Sequence, residues 1–412
     1  MPEYVNVSIA VTVFMGLASG GLLTLVLLSS RRQQTSFSIM FGLTGLLAVL
    51  GAIGSAAMLQ STAAGLLNGL VLLVLSFTLG YTLTTYSVLS PRREKVEIDA
   101  PPVRVDHTAV ICLAPGEPPD YEMRSAAERL ELADDAADVP GALLRPFYMR
   151  DLKGKYAAIG DSPYRDYYTQ LVQKVQSRLD STHRVYPAFY SDEPHVAQAV
   201  ATCVEEGVRQ IIVLHLRVAD PPDSVLAGEL LEGLELQKHD VTVSEVGPLW
   251  DTTLLPQIYV RRVLEAMAQV GDSVEEVGLL LVGRGHPTSG GDASVKRQEQ
   301  EETFQRRVRR ALLKVGFSHE RVVIAWLRHG SPSIAEALDA LVNGGCKSVY
   351  WMPSTYPADG VNTMYDIPAQ LGQVSAARGV KLVALGAWNA DDLAAQEITS
   401  QVRAASRAAS GR

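Results

Sequence analysis

Three segments of this chain place groups fit for proton, metal or anion chemistry at the ends of β-branched runs. Gly283-Arg284-Gly285-His286 follows one run, Leu327-Arg328-His329-Gly330 closes a second, and His215 closes a third with Arg217 beside it. A neutral imidazole accepts a proton near neutral pH and ligates divalent metals. A guanidinium stays protonated and pairs with carboxylates through a planar fork of donors. A lone histidine is more often a hydrogen-bonded structural residue than a ligand, so the argument for His286, His329 and His215 rests on three strand tips converging. His107, His183, His195, His239 and His319 fall at linkers, strand starts or helix ends and receive no role.

The elements that must position these tips follow from periodicity. Short β-branched runs at 109–114, 184–190, 210–218 and 241–246 are followed by a second set at 277–282, 322–327, 348–352 and 381–385. Helical patterns lie between most of them, for example at 167–179, 194–206, 255–269, 298–315 and 333–342. That alternation is the signature of parallel sheets with crossover helices. The predicted fold is α/β, with two doubly wound, Rossmann-like halves facing each other behind three transmembrane helices. Ligands of such folds bind beyond the carboxyl ends of the strands. The expected domains are an anchor over 1–90, a linker over 91–104 and halves over 105–248 and 249–412.

The anchor is read from three apolar stretches, 5–28, 37–59 and 63–89, each near the roughly 20 residues that cross a bilayer. No basic region precedes the first, and two more follow, which disfavours a cleaved signal peptide. Arg31 and Arg32 flank the first loop, and Arg92, Arg93 and Lys95 follow the third stretch. Both basic flanks therefore lie on one side, which predicts an external N-terminus, a cell-membrane location and a cytoplasmic C-terminal domain. Gly16 and Gly20, and Gly42, Gly45, Gly51 and Gly54, allow close helix packing. No ionisable group lies within a stretch, which disfavours a transport path, and Asn68 is expected to make an interhelical hydrogen bond. The partners this implies are membrane lipid and a membrane protein complex.

Composition narrows the rest. Apolar residues are 47% and charged residues 20% of the 412, with a mean hydropathy of +0.09. Residues 1–90 carry only Glu3, Arg31 and Arg32, a net +1, so with −8 for the whole chain the remainder carries −9. An acidic body without a basic block argues against nucleic acid. Cys112, Cys203 and Cys346 are widely spaced and form no CxxC pair. Gly283–Gly285 lacks the third glycine of GxGxxG, and no GxxxxGK[ST] occurs, so no nucleotide is expected.

Four segments resemble the ferrochelatase family. In 152–163 and just beyond, Tyr156, Ile159, Gly160, Ser162, Pro163, Thr169 and Gln170 match a K-x-x-Y-x-x-I-G-G-x-S-P-L…T-x-x-Q pattern. Ala114-Pro115-Gly116-Glu117-Pro118 is similar to the opening L-G-x-P-E turn. Pro353, Tyr356, Asp359, Thr363, Met364, Tyr365 and Asp366 fall in register with P-x-x-F-x-S-D-H-x-E-T-L-Y-E. Leu281–Pro287 resembles the strand ending S-A-H-G-x-P, with Gly291-Asp292 downstream.

That resemblance covers residues 105–405 and implies a tetrapyrrole, porphyrin or haem, between the halves, with Fe²⁺ as the metal to be inserted. Insertion removes two pyrrole protons and delivers a divalent ion, tasks suited to an imidazole and a carboxylate. The register puts Arg284 at the family's histidine, Asn362 at its glutamate and Gly360 at the histidine of D-H. Arginine cannot serve as base or iron ligand, and asparagine cannot serve as base. Arg284 is then expected to pair with a propionate, or alternatively to form a surface salt bridge. Tyr356, Asp359, Asn362, His215 and Arg217 complete the expected tetrapyrrole contacts. Asp359 has a second reading as N-cap of a helix starting near 361. His286 and His329 are the candidates for displaced catalytic and metal-binding duty. The reading is an accessory or non-classical ferrochelatase-like protein; the alternatives are an active ferrochelatase with displaced bases and a structural subunit of a membrane complex. Sirohydrochlorin cobaltochelatases, with strand-end G-H-G-S motifs, are matched only by 328–331, at a different place in the fold.

Overall fold

The computed structural model describes residues 2–29, 31–58, 62–90, 96–98, 104–131, 140–220, 233–287 and 291–410. It divides into two units, one of residues 1–93, 122–128 and 139–154, the other of 94–121, 129–138 and 155–412. The linker residues 91–95 and 99–103 lie outside the described residues.

In the first unit, helices α1 (Pro2–Leu28), α2 (Arg31–Met58) and α3 (Thr62–Leu89) pack together. All three are long and apolar enough to cross a membrane. Gly16, Gly20, Gly51 and Gly54 sit at close helix contacts as their spacing predicts, whereas a Cβ on Gly42 would meet nothing within 4 Å. A Cβ on Gly20 would sit 2.0 Å from the Phe77 carbonyl oxygen, and one on Gly80 would sit 2.0 Å from that of Leu17. Only hydrogen fits where α1 crosses α3. Ser8 donates to the Gly51 carbonyl at 2.7 Å, and Thr24 meets Thr85 at 3.1 Å. Asn68, expected between helices, lies on the exposed side of α3 instead.

The second unit holds two four-stranded parallel sheets. Strands β1 (Thr108–Ala114), β2 (His183–Phe189), β3 (Gln210–His215) and β4 (Thr242–Val246) run in the order β2-β1-β3-β4. Strands β5 (Val277–Gly283), β6 (Val322–Trp326), β7 (Ser348–Met352) and β8 (Lys381–Ala384) repeat it as β6-β5-β7-β8. β1 and β5 are the most continuously apolar runs, and each lies inside its sheet, buried on both faces. Read by periodicity, β3 extends to 218, but it stops at His215, after which the chain leaves the sheet and carries Arg217.

Helices α4 (Met123–Glu131) and α5 (Arg145–Ile159) follow β1. Next come α6 (Tyr164–Arg178) and α7 (Val196–Glu205) around the first sheet, and α8 (Leu255–Val270) and α9 (Asp292–Lys314) around the second. They are joined by α10 (Ile334–Asn343), α11 (Ile367–Arg378) and α12 (Asp392–Ser410). α7 covers the outer face of the first sheet, and α10 with α11 covers that of the second. Between the sheets, α6, α8, α9 and α12 share one core with the inner faces of both, centred on Tyr259, Phe304, Tyr350 and Trp388. The C-terminal helix α12 crosses back to β3 and β4 of the first sheet. Periodicity places the start of α9 at 298, whereas the helix begins at Asp292. Its first turns are polar yet buried, so they carry no apolar stripe to announce them.

Candidate functional site

The β5 tip is held by a polar face of α9. Ser294, Arg297, Gln298, Glu301 and Gln305 recur at three- and four-residue intervals, which brings them onto one side of the helix, and all are buried. Glu301 accepts the Gly285 N–H at 3.1 Å, Gln298 accepts that of His286 at 2.8 Å, and Ser294 donates to the Pro287 carbonyl at 2.8 Å. The β6 tip runs alongside, with Arg328 N–H donating to the Arg284 carbonyl at 3.0 Å. Gly285 has φ +79°, and a Cβ there would lie 1.9 Å from the His329 carbonyl oxygen, so the two tips touch backbone to backbone.

Tyr356, from the β7 tip, reaches this cluster. Burial raises the pKa of its phenol; Arg284 and Arg328 pull it down, while Glu301 and Asp366 push it up. Its hydroxyl is buried and has no hydrogen-bond partner among the described residues. Asp366 is engaged by Lys155 at 2.9 Å. Arg284 is half-buried, and its N–H donates to the Thr355 hydroxyl at 3.2 Å.

The remaining second-half candidates separate. His286 is 2% exposed, and its Nε2 lies 3.6 Å from a Glu301 oxygen. His329 is half-buried on the β6 tip. Asn362 opens a five-residue π-helical turn, Asn362–Asp366, whose wider i→i+5 bond runs from the Ile367 N–H to the Asn362 carbonyl. Asp359 does not cap that turn. Its carboxylate accepts Ala387 N–H at 3.1 Å and the Asn389 amide at 2.7 Å, tying the β7 and β8 tips together.

The cap comes from the other half. Glu117, at the β1 tip and 8% exposed, accepts the Val361 N–H at 2.9 Å and the Ser162 hydroxyl, and Arg129 stands 3.5 Å away. The tyrosine beside it, Tyr164, is raised in pKa by burial and by Glu117, with Arg217 opposing, so Arg217 belongs to this first-half cluster. Arg217 also lies 5.9 Å from the Tyr190 ring centre. His215 is buried between the Tyr190 hydroxyl and Glu245, whose carboxylate is 3.3 Å from its Nε2. Among the described residues no three His, Cys, Asp or Glu side chains gather as a metal cage.

Glu117, Glu301, Arg129 and Arg328 were not among the sequence-derived site residues. Glu117 stood inside a quoted motif and Arg328 beside His329, so both were within reach. Glu301 lies in a run, Gln298–Glu302, that reads as a solvated face until α9 is docked.

Two parallel sheets of identical strand order, with polar clusters at the carboxyl ends of their strands, define an α/β protein of two doubly wound halves. The Ferrochelatase family model matches residues 121–406. The chain belongs to the ferrochelatase family. It is 26% identical over 297 residues to a ferrochelatase of Geotalea uraniireducens (strain Rf4), covering 67% of this chain and 90% of that one. To a ferrochelatase of Geobacter sp. (strain M21) it is 23% identical over 298 residues, covering 66% and 90%. Among solved structures, SirB from Bacillus subtilis with Fe3+ aligns at 14% identity and a TM-score of 0.48, over 74% of this chain and 98% of that one.

Proposed function

We propose that this protein is a membrane-anchored, non-classical member of its family, which binds a porphyrin or haem at the sheet tips without inserting iron efficiently. The observation that carries the reading is the β5 tip. Where the family register has an imidazole, this chain has Arg284, adjoined by Arg328 and by the buried Tyr356 hydroxyl, unpartnered among the described residues. Such a set of donors suits a propionate carboxylate and cannot take up pyrrole protons at neutral pH. Across the tips, Asn362 takes the place of the family's glutamate and supplies an amide that neither accepts a proton in this range nor carries charge.

The competing reading, an active ferrochelatase with displaced bases, is favoured by the His286–Glu301 contact, an imidazole beside a carboxylate. At 2% exposure, however, His286 is enclosed by the loop and α9, and substrate would reach it only after the β5 tip had moved. His329, half-buried, is the more accessible of the two. We place the second unit in the cytoplasm, on the basic flanks of the apolar helices. A reporter fused after Arg412 then reads as cytoplasmic, and one fused before Glu3 reads as external.

The test of binding is a titration of the detergent-solubilised full chain with protoporphyrin, followed by the Soret band. A saturable shift at one porphyrin per chain is expected. Absence of saturable binding would leave the anchored domain as a structural subunit.

A further inference from the structure

The first unit contains a short segment with an apolar surface that the described residues leave exposed. Leu143, Leu144 and Phe147 are 49%, 60% and 49% exposed, at the start of α5, while Pro146, Met149 and Leu152 occupy the buried side. The outward side then turns polar at Arg150 and Asp151.

Two hydrogen bonds fix where this segment lies on the three-helix bundle. The Tyr81 hydroxyl donates to the Leu143 carbonyl at 2.6 Å, and the Lys153 ammonium donates to the Ser29 carbonyl at 2.5 Å. Ser29 directly follows α1, so Lys153 marks the outer end of the bundle. Tyr81 lies two turns inside the end of α3. The apolar stretch of α3, Ala64–Leu89, has 26 residues. That is about 39 Å of helix at 1.5 Å per residue, against about 30 Å of hydrocarbon. Its last part, Thr82–Ser87, contains Thr82, Thr84, Thr85, Tyr86 and Ser87, so the overhang falls at that end. Tyr81 and Tyr86 then occupy the headgroup boundary, where tyrosines concentrate. The segment is thus graded, with its apolar end against the boundary and its charged end farther out.

We propose that residues 142–150 form an interfacial membrane wedge, with Leu143, Leu144 and Phe147 inserted at the boundary between headgroups and acyl chains of the bilayer that α1–α3 span. The wedge rests on the reading of α1–α3 as membrane-spanning, and the test separates the two. Single cysteines are introduced in the full chain as Leu143→Cys, Leu144→Cys, Phe147→Cys and Asp151→Cys, with Leu46→Cys on the exposed side of α2 as control. The native Cys112, Cys203 and Cys346 are buried. Each variant carries an environment-sensitive fluorophore and is placed in phosphatidylcholine–phosphatidylglycerol nanodiscs. Labels at 143, 144 and 147 are expected to shift to the blue, to be quenched by shallow spin-labelled lipid and to lose quenching by aqueous iodide, while 151 keeps it. If Leu46→Cys is quenched by lipid but 143, 144 and 147 behave as 151 does, the wedge is wrong and the anchor stands. Should Leu46→Cys also report water, both fall.

Discussion

The Glu117 carboxylate accepts the backbone N–H of Val361 at 2.9 Å, so a side chain at the tip of the first sheet caps the turn that presents Asn362 from the second. Gly360 makes this approach possible, because a Cβ there would lie 2.5 Å from a Glu117 oxygen. The glycine at 360 and the glutamate at 117 are therefore one structural choice. Gly360→Ala should lower stability by about 1–3 kcal/mol through overpacking. In a Glu117→Ala background the added cost should shrink by more than about 0.5 kcal/mol, the signature of contacting residues. Unfolding of the solubilised full chain in all four combinations measures the coupling, and additive costs would show that the two residues do not share the space.

Arg284 and Tyr356 give separable effects. Arg284→Ala should weaken porphyrin binding about tenfold or more, since charge-assisted hydrogen bonds contribute about 1.5–3 kcal/mol. Unchanged affinity would make Arg284 a salt-bridge residue only. Tyr356→Phe removes a buried hydroxyl that has no partner among the described residues, so stability should hold within about 0.5 kcal/mol while affinity falls by a neutral hydrogen bond, about 0.5–1.5 kcal/mol. An affinity left intact would remove the phenol from the site.

Glu245 offers a pH test. Its pKa is lowered from the ordinary 4.5, first by the hydrogen bond from His215 and then by the charge of that ring, against burial. A depressed carboxylate pKa stabilises the fold above the unfolded value and loses that contribution as pH falls through the folded one. Glu245→Gln should therefore reduce the unfolding temperature at neutral pH, with the difference from the parent closing below about pH 4.5. A difference that persisted undiminished in acid would mean the contact is packing rather than charge. Because half of the Glu245 side chain meets solvent, the effect is small.

The strands were legible because each is a short β-branched run. The repeat of four runs made the two halves legible, while the order of strands within each sheet came only with the structure. The three long apolar helices were legible for the equivalent reason, length without charge. What escaped was polar and buried. The first turns of α9 carry Arg297, Gln298, Gln300 and Glu301 inward, Gln298 and Glu301 holding the β5 loop and Gln300 the Asp220 N–H, and nothing in their types distinguishes them from a solvated face. Glu117 escaped for a different reason, since its partner Val361 lies 244 positions away. Asp359 looked like a helix cap by local rules, and tertiary structure gave the cap to Glu117 and Asp359 to the β8 loop.

Anaerobic Fe²⁺ with protoporphyrin decides whether the site binds a tetrapyrrole yet lacks the groups that insert iron. Formation of the iron porphyrin is followed by absorbance for the parent and for Arg284→His with Asn362→Glu. The parent should bind porphyrin with insertion near the uncatalysed level, and the double variant should gain activity, each single variant gaining less. Efficient insertion by the parent, with loss in the double variant, would contradict it and direct attention to His286 and His329.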